Sequence, residues 1–463
     1  MSGRFNLPVR YGTKLRVDDR VRPAADPEEF SEFRAEASTP FDPVIDARVR
    51  LHGRIIDEFN LAALDRLTRA ELFEQVSDYV SDFVRAERVP LNKRELEQFT
   101  DEVIDEMVGL GPLEPLLKDP TVSDILINGP YIVYVERFGV IEPSTIRFKD
   151  EAHLLRIVNK IVADIGRRID ESSPMMDARL PDGSRVNVAV RPVALDGPLV
   201  SIRKFSKQPY SMDRLVDVGA LPDAVAHVLK AAVGGRVSLI VSGGTGSGKT
   251  TMLNALSGYI SPRERIVTIE DSAELQIQQG HVARMETRPP NAEGKGEIRQ
   301  RDLVKNALRM RPDRIIIGEC RGDEAFDMLQ AMNTGHEGSM TTIHANNPKD
   351  AVRRLEQMVG MSGLAMSQSS IRQQIASAIQ LILQLQRFAD GTRRLTSVTE
   401  VTGMKGDGIQ TQELFHFVRT GVDQTGRQVG VFRPTGVRPA FVDVIGPMGF
   451  HVDPAVFDPS RDL

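Results

Sequence analysis

The chain has 463 residues, 41% of them hydrophobic, and its Lys+Arg 59 against Asp+Glu 64 give a formal net charge of -5. That length calls for two or more domains, at roughly 100 to 200 residues each, and the acidic balance removes the whole-chain basic excess of a nucleic-acid binder. The single cysteine, Cys320, excludes an internal disulfide framework and a four-cysteine zinc cluster, and fits a reducing cytoplasm.

Residues 1–50 are rich in Arg, Asp, Glu and Pro without a sustained apolar period, and read as a disordered tail because such a composition buries too little to offset chain entropy. Its start, MSGRFNLPVRYGTKLRVDD, lacks the apolar centre of a signal peptide. Over 51–110, Leu72, Phe73, Val76, Tyr79, Val80, Phe83 and Val84, then Leu96, Phe99, Val103, Ile104 and Met107, recur at helical spacing and predict a small helical module. Residues 111–205 read as a compact α+β domain. GLGPLEPLLKDP breaks the helix, and SDILINGPYIVYVERFGVIEPSTIRF alternates around Asn-Gly and Phe-Gly turn signals. A helix over Glu151 to Ile169 and strands in GSRVNVAVRPV and PLVSIRKF follow. SKQPYSMDRL, residues 206–215, has the Pro and polar residues of a linker.

Residues 216–463 read as an α/β domain. Short apolar runs (RVSLIVS, RIVTIE, DRIIIGE, MTTIHA) alternate with helical segments, the pattern of a parallel-rich sheet covered by helices. QLILQLQRFADGTRRLTSVTEVTGM predicts a hairpin around Asp-Gly. IASAIQLILQLQ is too short and too Gln-rich to cross a bilayer, so no transmembrane segment is expected.

The chemistry begins at VSLIVSGGTGSGKTTMLNAL, where Gly243, Gly248, Lys249 and Thr250 complete the G-x-x-x-x-G-K-[ST] pattern between a strand and a helix. Gly243, Gly244, Thr245, Gly246, Ser247 and Gly248 form a loop able to aim successive backbone N–H groups at phosphate oxygens, helped by the positive helix N-terminus. Lys249 is placed to reach the β- and γ-phosphates, and Thr250, with Thr251 beside it, to ligate Mg²⁺. Binding a triphosphate does not by itself mean hydrolysis, which needs groups to orient water and hold the metal. Two strand ends carry such acids: Glu270 and Asp271, with Glu274 a turn on, and Glu319 after Ile315, Ile316 and Ile317. Ligands of open α/β sheets bind beyond the carboxyl ends of strands, so these acids are placed to face the phosphate loop. Taken singly, each is also explained as a solvated strand-end charge.

GGTGSGKT, IEDSAEL, IIIGECRGDEA and NTGHEGSMTTIHAN, in that order, resemble the Walker A, Asp box, Walker B and His box of the type II/type IV secretion ATPase superfamily. DARLPDGSRVNVAVRPVALDGPLVSIRKF is similar to its tight-adherence (Tad) pilus branch, the CpaF-like ATPases, and the resemblance covers residues 51–440. It implies a RecA-like P-loop NTPase domain preceded by a PAS-like α+β domain. It also implies a cytoplasmic homohexamer, peripheral at the inner membrane, that hydrolyses ATP with Mg²⁺. Such a motor acts through platform proteins on pilins to assemble or retract a filament; from the charge balance no nucleic acid is expected as partner. One of Glu270 and Glu319 would orient the attacking water and the other hold the metal shell, the choice staying open. Arg179, Arg185, Arg191 and Arg203 lie in the stretch resembling the domain that supplies arginines to the phosphates, a task suited to a planar, permanently charged fork. The lone Cys320 sets the chain apart from extension ATPases with a four-cysteine zinc insert.

His336 and His344 complete the set. A metal site would need more ligands than Glu337 beside them. In MTTIHAN the strand runs into His344, and His336 sits in a Gly-flanked loop read as approaching the same γ-phosphate. Both are therefore read as sensors that donate a hydrogen bond to phosphate and lose it after hydrolysis, with Thr341 and Thr342 assisting, the alternative being satisfied structural histidines. Three alternatives remain. The ATPase of a type II or type IV secretion system shares every box; a P-loop nucleic-acid translocase needs a basic channel; a nucleotide-gated scaffold binds ATP without turnover.

Overall fold

A computed structural model describes residues 43–58, 68–164, 168–205, 210–290, 294–424 and 426–463. Residues 1–42 of the expected tail lie outside it. Helices Pro43–Glu58, Arg69–Ala86 and Lys93–Val108 pack around Ala47, Leu51, Val76, Val80, Phe83, Phe99 and Val103. The second and third start with capping boxes, Thr68 with Glu71 and Asn92 with Glu95, which satisfy the first orphan N–H groups. The first helix begins inside the stretch assigned to the tail, and that boundary is corrected. Among the described side chains Ala47 and Leu51 are its buried contribution to the cluster, and Arg48 joins it to Glu102 at 2.8 Å.

The α+β region carries an antiparallel six-stranded sheet: β1 (Val122–Asn128), β2 (Val133–Arg137), β3 (Val140–Pro143), β4 (Met175–Arg179), β5 (Arg185–Ala189) and β6 (Leu199–Arg203), ordered β3-β2-β1-β6-β5-β4. Helix Glu151–Asp164 brings Leu154, Ile157, Val158 and Ile161 into one core with Ile125, Ile127, Val186, Val188, Val200 and Ile202. The alternate residues of the strands point to the other face. There the register aligns Arg179 with Arg185, Arg185 with Arg203, Arg203 with Asp124, and Asp124 with Glu136. Five residues from five strands thus form one transverse row, three arginines followed by two acids. β4 was not foreseen, because MMDAR buries only Met176 and shows no apolar alternation.

The C-terminal region is built on a nine-stranded sheet. Its strands are β7 (Leu239–Gly243), β8 (Ile266–Glu270), β9 (Val282–Glu286), β10 (Arg314–Ile317), β11 (Met340–Ile343), β12 (Leu381–Arg387), β13 (Arg393–Lys405), β14 (Gly408–Val422) and β15 (Gln428–Pro434). The order is β15-β14-β13-β12-β7-β11-β10-β8-β9. Pairing is parallel from β12 to β9 and antiparallel from β12 to β15. Every residue of β7, β8, β10 and β11 is buried, as a sheet covered on both faces requires. One apolar core lies on each side, gathered around Leu239, Val241 and Leu253 on one face and Ile240, Ile269 and Ile317 on the other. The hairpin around Asp390-Gly391 joins β12 to β13. Edge strand β9 and the polar ribbons β14 and β15 escaped the sequence reading because none is a continuous apolar run. The expected linker also ends early: helix Met212–Asp217 starts within it and seats Met212 and Leu215 in the first core.

At the amino edge of this sheet Arg314, wholly buried, pairs bidentately with Glu264 at 2.8 and 3.0 Å and donates to Gly338 O at 3.3 Å. Gly338 has φ +78°, and a Cβ there would lie 2.6 Å from Arg314 Nη1. A buried charge that loses its partner is costly. Glu264→Ala should therefore destabilise by about 3–5 kcal/mol, read as a lower melting temperature, and Arg314→Met with Glu264→Leu should recover most of the loss.

Candidate functional site: a phosphate loop between two domains

β7 ends at Gly243, and the chain turns through Gly246 (φ +67°) and Gly248 (φ +93°) into helix Lys249–Ser257. The left-handed backbone at both glycines lets the loop fold tightly without a Cβ penalty. Lys249 Nζ curls back into it, donating to Gly243 O at 3.0 Å and Gly244 O at 2.9 Å. Ser247 Oγ donates to Gly244 O at 2.9 Å, and Thr245 is exposed at the tip. Thr250 and Thr251 open the helix, half-buried. Burial holds the Lys249 ammonium below the ordinary lysine range; Glu319 opposes this, while Arg321, Arg203 and Arg354 act with burial. Those neighbours identify what surrounds the loop.

Sheet order puts β11 between β7 and β10, with β8 next beyond β10. His344, Glu319 and Glu270 therefore emerge in sequence from the phosphate loop outward, at strand spacings of about 4.8 Å. The two acids differ in environment. Glu319 is partly exposed, its Oε2 accepting from Arg321 Nη2 at 2.7 Å, and Arg321 lies 3.8 Å from Asp271. Glu270 is 3% exposed, and its Oε2 accepts from Glu274 N at 2.7 Å and Leu275 N at 2.8 Å. Its Oε1 has no hydrogen-bond partner among the described residues. Burial pushes the Glu270 carboxyl up to about 7, with the two backbone N–H groups pulling against it.

The transverse row of the six-stranded sheet faces this edge. Arg179 Nη2 donates to Ser272 Oγ at 2.6 Å and to Glu286 Oε1 at 3.0 Å, and Arg185 Nη1 to Glu274 Oε1 at 2.8 Å. Arg203 pairs with Asp124 at 3.1 Å and is near enough to act on Lys249. Like charges opposite one another across strands repel, so three adjacent arginines need anions. Glu286 at the end of β9, Glu274 after β8 and Asp124 in the row itself each pair with one of the three. Arg191 is not brought here. It follows β5 at the end opposite Arg185, six residues and about 20 Å along an extended chain, and pairs with Glu151 at 3.6 Å. Its sequence grouping with the other three is corrected: proximity along the chain is lost when a strand runs away from the site.

The histidines also separate. His344 follows Ile343, level with Ser242 at the phosphate-loop end. Burial, then Lys249, holds its imidazole below the ordinary histidine range, with Glu319 opposing, so it is neutral at neutral pH. His336 instead precedes Met340, which is level with Leu239, and Gly338 N donates to Ser238 Oγ at 3.0 Å. It lies at the amino edge, a strand length of about 13 Å from the loop. A shared sensor role for His336 is therefore withdrawn; two histidines flanking one strand exit at opposite ends of it.

Several residues of the site had no sequence signal. Arg354 comes from helix Pro348–Gly360 and acts on both Lys249 and His344. Gln384 on β12 reaches past the phosphate-loop strand to donate to Ala345 O at 3.2 Å. Arg387 and Arg393, flanking the β12–β13 turn, lie against Gly246 and Gly248. Only the hairpin was readable, not that β12 pairs with β7. A group of three or more His, Cys, Asp or Glu able to hold a metal is absent among the described residues.

Glu270 has a consequence for stability. Between its ordinary 4.5 and about 7 the folded protein holds a proton that the unfolded chain has released, so stability falls as pH rises through that window. Glu270→Gln keeps the acceptor for both N–H groups and removes the ionisation. The variant should melt higher than wild type at pH 8, by up to about 3 kcal/mol of stability, and match it below pH about 4.5.

The chain is similar in sequence to several known proteins. A Mycobacterium tuberculosis protein named for conjugal transfer is 38% identical over 317 residues, covering 67% of this chain and 89% of the relative. The type IV secretion system protein VirB11 of Bartonella henselae is 30% identical over 344 residues, 65% of this chain and 95% of the relative. Among solved structures, the VirB11 ATPase of the Brucella suis type IV secretion system, in complex with sulphate, is 27% identical at a TM-score of 0.34, over 62% of this chain and 95% of that one. Residues 106–429 match the family described as Type II/IV secretion system protein. With that match over most of its length, the chain belongs to the type II/IV secretion system ATPase family, with a RecA-like P-loop domain behind an N-terminal domain.

Proposed function

We propose that the chain is an Mg²⁺-dependent ATPase that works as the motor of a type IV secretion or conjugal-transfer machine. The observation that carries this is the meeting of a complete phosphate loop, acids and a histidine at neighbouring strand ends, and an arginine row from a second domain. The Tad pilus branch stood first on sequence; the names of the relatives favour the secretion alternative. One observation keeps a pilus motor as a second reading: the helices before residue 106 lie outside the matched segment, and such a helical module accompanies the resemblance to the Tad branch.

The chemistry follows from the geometry. Phosphoryl transfer to water leaves little for a protein to do except position groups and neutralise charge. The phosphate loop and Lys249 hold the phosphates, and Arg179, Arg185 and Arg203 present guanidinium groups from the other side. Bound Mg²⁺ would neutralise charge on the phosphates, held by Thr250 and Glu319. Glu270, titrating near neutrality, suits the water-orienting base, since a base is most effective with a pKa near the working pH. Neutral His344 can donate to a phosphate oxygen and report its departure. A homohexameric ring acting on inner-membrane platform proteins from the cytoplasmic side is the assembly this reading entails. No helix among the described residues is long and apolar enough to cross a membrane.

Phosphate release, with binding of a fluorescent ATP analogue, tests the roles separately. Lys249→Ala should abolish binding. Glu319→Gln should raise the Mg²⁺ concentration required for turnover, whereas Glu270→Gln should lower kcat by roughly 100-fold or more and leave affinity unchanged. Arg185→Ala should cost at least about tenfold in kcat with affinity largely intact. Equal loss of binding and turnover in Arg185→Ala would reduce the row to a structural contact.

A further inference from the structure

The β12–β13 hairpin touches the phosphate loop and the N-terminal domain at once. Arg393 Nε donates to Gly246 O at 2.9 Å, and its Nη2 to Glu136 Oε1 at 3.3 Å. Arg387, on the other arm, donates to Gly139 O and lies 3.8 Å from Glu136 Oε2. A Cβ on Gly246 would sit 3.0 Å from Arg387 Nη1, and one on Gly139 3.0 Å from Gly391 O. Two guanidinium groups are thus pressed between the glycine turn of the loop and a single, largely buried carboxylate of the other domain.

The bond to Gly246 has a direction. In a trans peptide the carbonyl oxygen and the following N–H point to opposite sides. With the Gly246 oxygen turned out to Arg393, the Ser247 N–H lies on the other side of the peptide, where it donates to Gly244 O at 3.4 Å. Gly244 O is also the carbonyl that receives Lys249 Nζ at 2.9 Å, so this N–H faces the space where Lys249 now lies. Inward N–H groups are what an anion nest offers to phosphate. A peptide flip at Gly246, open to glycine as to few residues, would withdraw that donor and present a carbonyl oxygen instead.

We propose that Arg393 is a positioning residue for the phosphate cradle and that Glu136 is its anchor, so that seating of the N-terminal domain sets the Gly246–Ser247 peptide and through it the affinity for nucleotide. The proposal rests on the loop being the ATP site. Glu136 belongs to the same transverse row as Arg179, Arg185 and Arg203. The row therefore acts in two ways: its basic half faces the phosphates, and its acidic half holds the cradle's shape through the hairpin. Arg387 fixes the hairpin tip against Gly139 and fills the space beside Gly246.

The test uses the full chain, a fluorescent ATP analogue for affinity and phosphate release for kcat and KM. Arg393→Gln should raise Kd and KM together by roughly tenfold, the size of one charge-assisted hydrogen bond, with kcat changed much less. Glu136→Gln should move the same two constants in the same direction by a smaller factor. The double variant should be no worse than Arg393→Gln, since both act through one peptide, and Arg393→Lys should restore part of the affinity. Effects that multiply in the double variant, or an unchanged Kd in Arg393→Gln while Lys249→Ala abolishes binding, would overturn the proposal and leave the ATP site standing. Binding that survives Lys249→Ala would remove both. Melting curves establish that each variant folds, and Glu136→Asp serves if Glu136→Gln does not.

Discussion

Positive charge gathered around a backbone cradle is the constraint from which the rest of this structure follows. Lys249 lies inside the loop, Arg203 and Arg354 are near enough to lower its pKa, and Arg179 and Arg185 stand in line with Arg203 on adjacent strands. Such a concentration of cations is stable only where anions are fixed beside it. Glu286, Glu274, Asp124, Glu319 and Glu136 serve that purpose, each paired with a named arginine. These pairs are mostly at a domain boundary and partly exposed, where an ion pair adds little stability. Their arrangement therefore contributes little to holding the fold.

The fold itself is secured elsewhere. Two apolar cores sandwich the parallel strands, and the Arg314 to Glu264 pair ties the amino edge of the sheet. With the carboxyl edge relieved of that duty, its loops can carry strained and unsatisfied groups. Gly246 and Gly248 adopt left-handed backbone, and the buried Glu270 carboxyl keeps one oxygen without a partner among the described residues. The same division explains why the two box histidines part company. His344 leaves the sheet at the chemical edge, whereas His336 lies by the structural one.

Control by the N-terminal domain comes from geometry and not from a long pathway. Register in the six-stranded sheet sets Glu136 on the same line as the arginines, so one rigid row touches the residues after β8 at one end and the hairpin at the other. Any shift of that sheet would be felt at once by Glu274, whose backbone N–H caps Glu270, and by Arg393, which holds Gly246 O.

Much of this was readable from residues alone, because the phosphate loop is a local object. Spacing of glycines, a lysine and a threonine between an apolar strand and a helix determines a tight backbone turn, and the chain makes that turn between β7 and helix Lys249–Ser257. The buried parallel strands β7, β8, β10 and β11 were equally legible, being continuous apolar runs, as was the hairpin at Asp390-Gly391. What required the tertiary structure was everything dependent on strand order and register. Nothing along the chain distinguishes Arg191 from Arg185, and only strand pairing shows that the loop before β11 keeps His336 at the end of the sheet opposite His344. Nor does the sequence place Glu136 or Arg393 beside Gly246, more than a hundred positions away. Side-chain chemistry is written locally; which groups meet is decided by hydrogen bonding between strands distant along the chain.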